Sequence, residues 1–286
     1  MTSDAGTTWR ELLADTAVLL GNAQDARFVC EHAAGLDAGE FAAALGEPVT
    51  QRMGVHVRDM VQRRLAGEPL QYVLGRWAFR HLDLLVDRRV LIPRPETELV
   101  AQVALDAARA VQPTRVVVDL GTGSGAIGLS LAHELPLTGT TVWLTDVSGD
   151  ALDVARANLA GIGRNGANVL VVQGDWFAAL PDELRGTVDV VVANPPYIAE
   201  TDTSIEHVVA AHEPHVALFA DDDGLAALRV IVAGARPWLR ARGVLVLEIG
   251  HGQGAAVRDV LIANEFQNVE IRSDFAGRDR IAIAIA

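Results

Sequence analysis

Two spacings of apolar residues divide this chain. Through the first 77 residues they recur every three or four positions, the mark of amphipathic helices sharing one core. Thr8, with Glu11 three residues on, forms a capping box ahead of Leu12, Leu13, Val18 and Leu19. Asn22 can cap a second helix carrying Ala26, Val29, Cys30 and Ala33, which Gly35 stops. A short helix is expected around Phe41 and Leu45. Thr50 then starts a longer one through Met53, Val57, Met60, Val61 and Leu65, ended by Gly67. Over 78–92 the spacing falls to two, at Phe79, Leu82, Leu84 and Val86, which predicts a β-hairpin linker.

Beyond it, short β-branched blocks at 116–118, 142–144, 169–172, 188–192 and 244–249 hardly alternate. Such strands are buried on both faces, as in a parallel sheet. Helical patterns at 97–111, 125–135, 149–160, 224–240 and 252–264 separate them, and two strands near 269–271 and 280–286 close the chain. The alternation predicts an α/β, doubly wound sheet whose ligands bind at the carboxyl ends of its strands. The expected domains are 1–77, helical; 78–92, the linker; and 93–286, the larger α/β unit.

Composition narrows the chemistry. One cysteine in 286 residues allows neither an internal disulfide nor a thiolate metal cluster. All 24 basic residues are arginine, which removes Schiff-base lysines and a Walker lysine. No apolar run nears the roughly 18 residues of a membrane span, and Asp4 and Glu11 stand where a signal peptide needs positive charge. A cytoplasmic protein without a membrane partner is expected. The net charge of -13 is uneven, about -2 up to residue 92 and -11 after it. An acidic domain works against the phosphate neutralisation that long nucleic acids require, so nucleic acid is a disfavoured partner.

The block at 115–118 runs into Asp119-Leu120-Gly121-Thr122-Gly123-Ser124-Gly125, with a helix to follow. Glycines there let backbone amides approach a ligand closely at a helix N-terminus. Gly123, Gly125 and Gly128 also satisfy the dinucleotide fingerprint, and Asp146 ends the next strand at the distance of a ribose-binding acid. The loop alone indicates a nucleotide-like cofactor without choosing one. Asp119 can contact that ligand or fix the loop by accepting backbone hydrogen bonds. Trp176 can stack on an adenine or belong to the core, with Asp175 as a helix cap.

Asn194-Pro195-Pro196-Tyr197 follows the fourth strand. Two prolines stiffen this corner and leave carbonyls unpaired. The Asn194 side-chain oxygen and the Pro195 carbonyl can accept both hydrogens of a planar NH2 group, with Tyr197 packed flat on it. An amide nitrogen is a weak nucleophile, so such chemistry needs a reactive donor in near-attack geometry, and a methyl sulfonium is one.

These motifs, with Gly67-Glu68-Pro69-Leu70-Gln71-Tyr72, Leu91-Ile92-Pro93-Arg94-Pro95-Glu96-Thr97-Glu98, Trp176-Phe177 and Glu213-Pro214, resemble the peptide chain release factor N5-glutamine methyltransferases, the HemK family. The resemblance covers nearly the whole chain. It implies the class I S-adenosylmethionine-dependent methyltransferase fold, Rossmann-like, with a seven-stranded sheet whose last strand is antiparallel, behind a small N-terminal helical domain that helps bind the substrate. It implies S-adenosyl-L-methionine as cofactor, S-adenosyl-L-homocysteine as product, no metal, and class I peptide chain release factors as partners. Gly121, Thr122, Gly123, Ser124 and Gly125 would wrap the methionine part of the cofactor, Asp146 its ribose, and Trp176 its adenine. Asn194, Pro195, Pro196 and Tyr197 would grip the glutamine amide and carry catalysis, Asn194 also bordering the cofactor. Residues 93–98 would line the cofactor pocket. His212 departs from the aromatic residue expected before Glu213.

An adenine N6-methyltransferase on DNA or RNA is the alternative, because an exocyclic amine fits the same corner; the acidic domain opposes it. A nicotinamide-dependent oxidoreductase leaves 194–197 without a role, and a cofactor-binding module without catalysis remains a fourth class. His207, His212 and His215 lack the spacing of a metal pair and are expected to be surface residues. The Asp221-Asp222-Asp223 run reads as a solvated loop, and Glu248 ends the fifth strand near the expected cleft without an assigned catalytic role.

Overall fold

The structure, a computed structural model, describes residues 6–111, 113–202 and 207–286; Asp4 lies outside them. It forms two compact units, Met1–Gly75 and Arg76–Ala286. The 78–92 segment, expected as a linker, falls within the second.

The first unit is helical. Thr8 and Glu11 close the capping box on the helix Trp9–Leu20, and Asn22 caps Ala23–Ala34, which ends on left-handed Gly35. Thr50 caps Gln51–Leu65. The apolar stripes meet in a core of Trp9, Leu12, Val29, Cys30, Phe41, Val57, Met60 and Val61. Cys30 is fully buried there.

The second unit opens with the hairpin β1 (Arg76–Phe79) and β2 (Leu82–Leu85). Its main sheet comprises β3 (Arg115–Leu120), β4 (Thr140–Asp146), β5 (Val169–Gln173), β6 (Val188–Ala193), β9 (Leu239–Glu248), β10 (Gln267–Ser273) and β11 (Asp279–Ile285). Two short strands, β7 (Ile198–Ala199) and β8 (Phe219–Ala220), pair apart from it. The sheet order β10-β11-β9-β6-β3-β4-β5 reverses direction of winding at β3, and β11 runs antiparallel to both neighbours. The seven-stranded sheet with an antiparallel last strand therefore forms as expected. Every residue of β6 is buried, as befits a central strand. The block at 169–172 differs: β5 is the sheet edge, only half-buried, and Leu170 is exposed. The helix expected over 224–240 runs Ala226–Ala235, because Pro237 lacks an N–H and the chain turns into β9 at Leu239. The switch point beside β3 sets the carboxyl ends of β3, β4 and β6 around one crevice.

Candidate active site

Asp119 leaves β3 almost fully buried, and its Oδ2 accepts from the Thr122 hydroxyl at 2.6 Å and the Gly128 N–H at 2.9 Å. Burial pushes its carboxyl up to about 7, against the lowering effect of those two donors. Thr122 belongs to the loop and Gly128 to the first turn of the helix after it, so Asp119 ties the loop to that helix while it also borders the cavity. Gly121, Gly123 and Gly125 all have positive φ, at 68°, 55° and 86°. A Cβ on Gly121 would come within 3.3 Å of the Trp176 ring, so glycine is needed there for the indole to lie against the loop. Asp146, at the end of β4, accepts from the Gly123 N–H through Oδ2 and the Ser148 N–H through Oδ1, both at 2.9 Å. Burial raises its pKa as well. A carboxylate has about four lone-pair sites, so acceptor capacity remains for ligand hydroxyls.

Trp176 holds φ at 44°, a conformation rare for a bulky residue and found where surrounding structure imposes it. Its ring borders the cavity and also packs on the core around Phe177 and Trp238. Asp175 precedes a short 3-10 turn, but its side chain makes no capping bond.

Opposite stands the proline corner. The Asn194 Nδ2 donates to the Thr97 hydroxyl at 3.4 Å, and Thr97 is itself buried. The Tyr197 hydroxyl donates to Glu248 Oε1 at 3.2 Å and accepts from Arg280 Nη1 at 3.3 Å. Burial, then the Glu248 charge, push the phenol pKa well up. Gln253 Nε2 donates to the Tyr197 carbonyl at 3.0 Å and to that of Gly224 at 3.2 Å. Gly224 has φ 81°, and a Cβ there would stand 2.2 Å from the Tyr197 carbonyl oxygen.

Loop and corner face one cavity of about 410 Å³. Gly121, Thr122, Gly123, Ser124, Asp146, Trp176, Asn194, Pro195 and Pro196 line it. Among the described residues, Gly125 and Tyr197 are not in the lining: Gly125 caps the helix Ala126–Glu134, and Tyr197 turns to Glu248. Of residues 93–98, Pro93 and Thr97 reach the cavity. Arg94 pairs with buried Glu213 at 2.5 Å, Glu213 also accepts from the Ile92 N–H, and Glu98 accepts from the Arg80 N–H. Asp221, from the acidic run, also borders the cavity, while Asp222 and Asp223 are left-handed. The His207 side chain lies outside those described; His215 pairs with Glu200 at 3.5 Å.

Several supports escaped sequence reasoning. Asn158 bonds the Leu85 N–H and carbonyl and the Ser124 carbonyl, tying the hairpin to the glycine loop. Gln253 and Arg280 brace the corner. The one available signal was polar residues closing apolar segments, such as Glu248 after 244–247.

Chemically, the Thr122, Gly123 and Gly125 amides and the Thr122 hydroxyl are bonded within the protein, so this wall meets a ligand through close-lying backbone and the remaining acceptor capacity of Asp146, and the corner offers acceptors to a ligand with N–H groups. Residues 97–214 match the family described as Methyltransferase small domain, and residues 8–75 match PrmC N-terminal domain. A release factor glutamine methyltransferase of Burkholderia pseudomallei is 42% identical over 91% of this chain and 90% of its own. One of Gloeobacter violaceus is 39% identical over 97% of this chain and 96% of its own. In fold, the chain is similar to a Pyrococcus furiosus methyltransferase crystal structure, at 17% identity and a TM-score of 0.51, over 79% of this chain and 98% of the other.

Proposed function

Because the chain belongs to the release factor glutamine methyltransferase family, we infer that it transfers a methyl group from S-adenosylmethionine to the N5 side-chain amide of a glutamine in class I peptide chain release factors. The observation that carries this reading is the shared cavity, with the glycine loop and Asp146 on one wall and the Asn-Pro-Pro acceptors on the other. The residues fit the cofactor: three positive-φ glycines bring the backbone close, Trp176 offers a ring face, and Asp146 retains acceptor capacity. When bound, S-adenosylmethionine supplies a sulfonium-activated methyl group and leaves as S-adenosylhomocysteine; no metal is needed.

In this reading 121–124 hold the methionine part, with Gly125 serving the turn into the helix, Asp146 the ribose, and Trp176 the adenine. Asn194 Oδ1 and the Pro195 carbonyl accept the two amide hydrogens, which presents the amide nitrogen in line with the methyl. Pro196 keeps the corner stiff, and Tyr197 anchors it from behind. No strong base is required because the methylated amide loses its proton readily. The substrate loop is Gly-Gly-Gln, which sets the reaction in translation termination and the protein in the cytoplasm. Residues 1–77 serve substrate recognition. No described helix is long and apolar enough to cross a membrane, and the charge of the larger unit disfavours nucleic acid.

The test is label transfer from methyl-labelled S-adenosylmethionine to a class I release factor, its Gln→Ala variant in that loop, and duplex DNA. Label on the intact factor alone is expected. Label on DNA and none on the factor would replace glutamine with adenine.

A further inference from the structure

Phe275 is the most exposed large apolar side chain among the described residues, 94% open to solvent at the tip of the β10–β11 hairpin. Single apolar residues on a surface are ordinary, but this one stands in a tight turn, where Gly, Asn, Asp and Ser are the usual residues. The turn asks nothing of it. Asp274 Oδ1 accepts from the Ala276 and Arg278 N–H groups at 2.9 and 3.0 Å, and the Asp274 carbonyl accepts from the Gly277 N–H at 3.0 Å. Gly277, at φ 76°, supplies the left-handed residue that closes the hairpin. A polar side chain at 275 would satisfy the same turn, so the ring has neither a packing role nor a conformational one.

Strand register locates the tip. Ala193, the last residue of β6, lies beside Leu247 of β9, and Glu248 at the end of β9 lies opposite Ile281 near the start of β11. The proline corner and the 274–278 turn therefore leave the same edge of the sheet. The steps from β6 to β9 and from β9 to β11 separate them by about 10 Å at the usual strand spacing. Side chains join them as well: buried Arg280 sets its Nη2 3.5 Å from Asp274 Oδ2, and its Nη1 donates to the Tyr197 hydroxyl at 3.3 Å. Ligands of such a sheet enter from this edge. A standard protein–protein contact covers about 800 Å² on each partner, a disc of roughly 16 Å radius. A protein that delivers a glutamine to Asn194 and Pro195 therefore reaches the tip too.

We propose that Phe275 is a docking anchor for the substrate protein: its ring enters an apolar patch of the class I release factor while the glutamine occupies the proline corner. Buried aromatic side chains are the usual anchors of such contacts, and a turn already pinned by Asp274 loses little freedom on binding. A second copy of this chain seated on the tip would instead obstruct the edge from which substrate enters. The proposal rests on release factor methylation as the function, and its test separates the two.

Wild type, Phe275→Ala and Phe275→Leu are compared for Kd of a class I release factor on enzyme loaded with S-adenosylhomocysteine, KM for that factor, kcat at saturation, and cofactor affinity by calorimetry. Phe275→Ala is expected to raise Kd and KM by about 5- to 30-fold, the loss typical of an interface anchor. Its kcat and cofactor affinity should stay within about twofold of wild type, and its Tm should not move, because the side chain is exposed. Phe275→Leu keeps an apolar contact and should retain most of the affinity. Unchanged Kd and KM in Phe275→Ala overturn the proposal. So does a loss confined to kcat, or a change only in self-association by sedimentation, which would assign the tip to a second copy. A wild type that binds the factor without labelling it removes the functional reading alone, and the anchor is then judged on Kd. A wild type that neither binds nor labels the factor overturns both.

Discussion

The glycine loop and the proline corner face the same cavity but are held in opposite ways. The loop is backbone that glycine permits to bend and that carboxylates then pin, Asp119 through Thr122 and Gly128, Asp146 through Gly123 and Ser148. The corner is backbone that proline has already stiffened, and side chains brace its two ends: Thr97 on Asn194, and Glu248, Arg280 and Gln253 on Tyr197. The close backbone and the remaining Asp146 acceptor capacity left by the first device suit a cofactor with ribose hydroxyls. Acceptors left free by the second suit a nitrogen nucleophile. On the proposed function, one wall binds the methyl donor and the other orients the acceptor, so the two should fail separately.

The largest effect should come at the corner. Asn194→Ala is expected to lower kcat by about 10²- to 10³-fold, the loss typical of one preorganised polar contact, with cofactor affinity little changed. Steady-state kinetics beside calorimetry checks this, and a matching loss of affinity would merge the two walls into one site.

Substitution of two glycines sharpens the contrast. A Cβ at Gly128 would lie 2.1 Å from the buried Leu144 side chain and 3.0 Å from Asp119 Oδ2. Gly128→Ala should cost about 1–3 kcal/mol of stability and loosen the loop, read as a lower Tm and weaker cofactor binding. Gly224→Ala meets the Tyr197 carbonyl instead, and should lower kcat in folded protein more than it lowers cofactor affinity.

Acid–base behaviour should be shared by both walls. Asp119 and Glu248 each have carboxyls raised to about 7 by burial, from ordinary values near 4. The folded protein thus keeps protons that the unfolded chain releases, and this stability is present below about pH 4 and lost as pH rises to about 7. Tm should fall across that window, and Asp119→Asn combined with Glu248→Gln should flatten the fall. The smallest effect is expected at the Asp222–Arg229 pair, where both side chains are half-exposed. Arg229→Ala should change stability by no more than about 1 kcal/mol in chemical denaturation.

The same contrast explains how much the sequence revealed. The loop's supports lie close by: Asp119 is three residues from Thr122 and nine from Gly128. Its glycines and Asp146 were therefore readable together with the strand and helix that flank them. The corner itself was equally readable, but its braces are distant, 97 residues between Thr97 and Asn194 and 51 between Tyr197 and Glu248. The sheet order, which sets β6 beside β9, brings Tyr197 to Glu248, and the packing of the helix Thr97–Arg109 on these strands brings Thr97 to Asn194. Strand identities followed from apolar runs, whereas the edge position of β5 did not, because an apolar run does not record which strand ends the sheet. Tyr197 illustrates the remainder: its ring was expected on the substrate, and its hydroxyl found a buried carboxylate instead.

Separability of the two walls is tested most directly by measuring cofactor affinity calorimetrically, and kcat at saturating cofactor, in Asp146→Ala and Asn194→Ala side by side. Asp146→Ala should weaken S-adenosylmethionine binding by about tenfold or more while retaining most of kcat, and Asn194→Ala should do the reverse. Parallel losses of affinity and kcat in both variants would contradict the division between a wall that binds the donor and a wall that aims the acceptor.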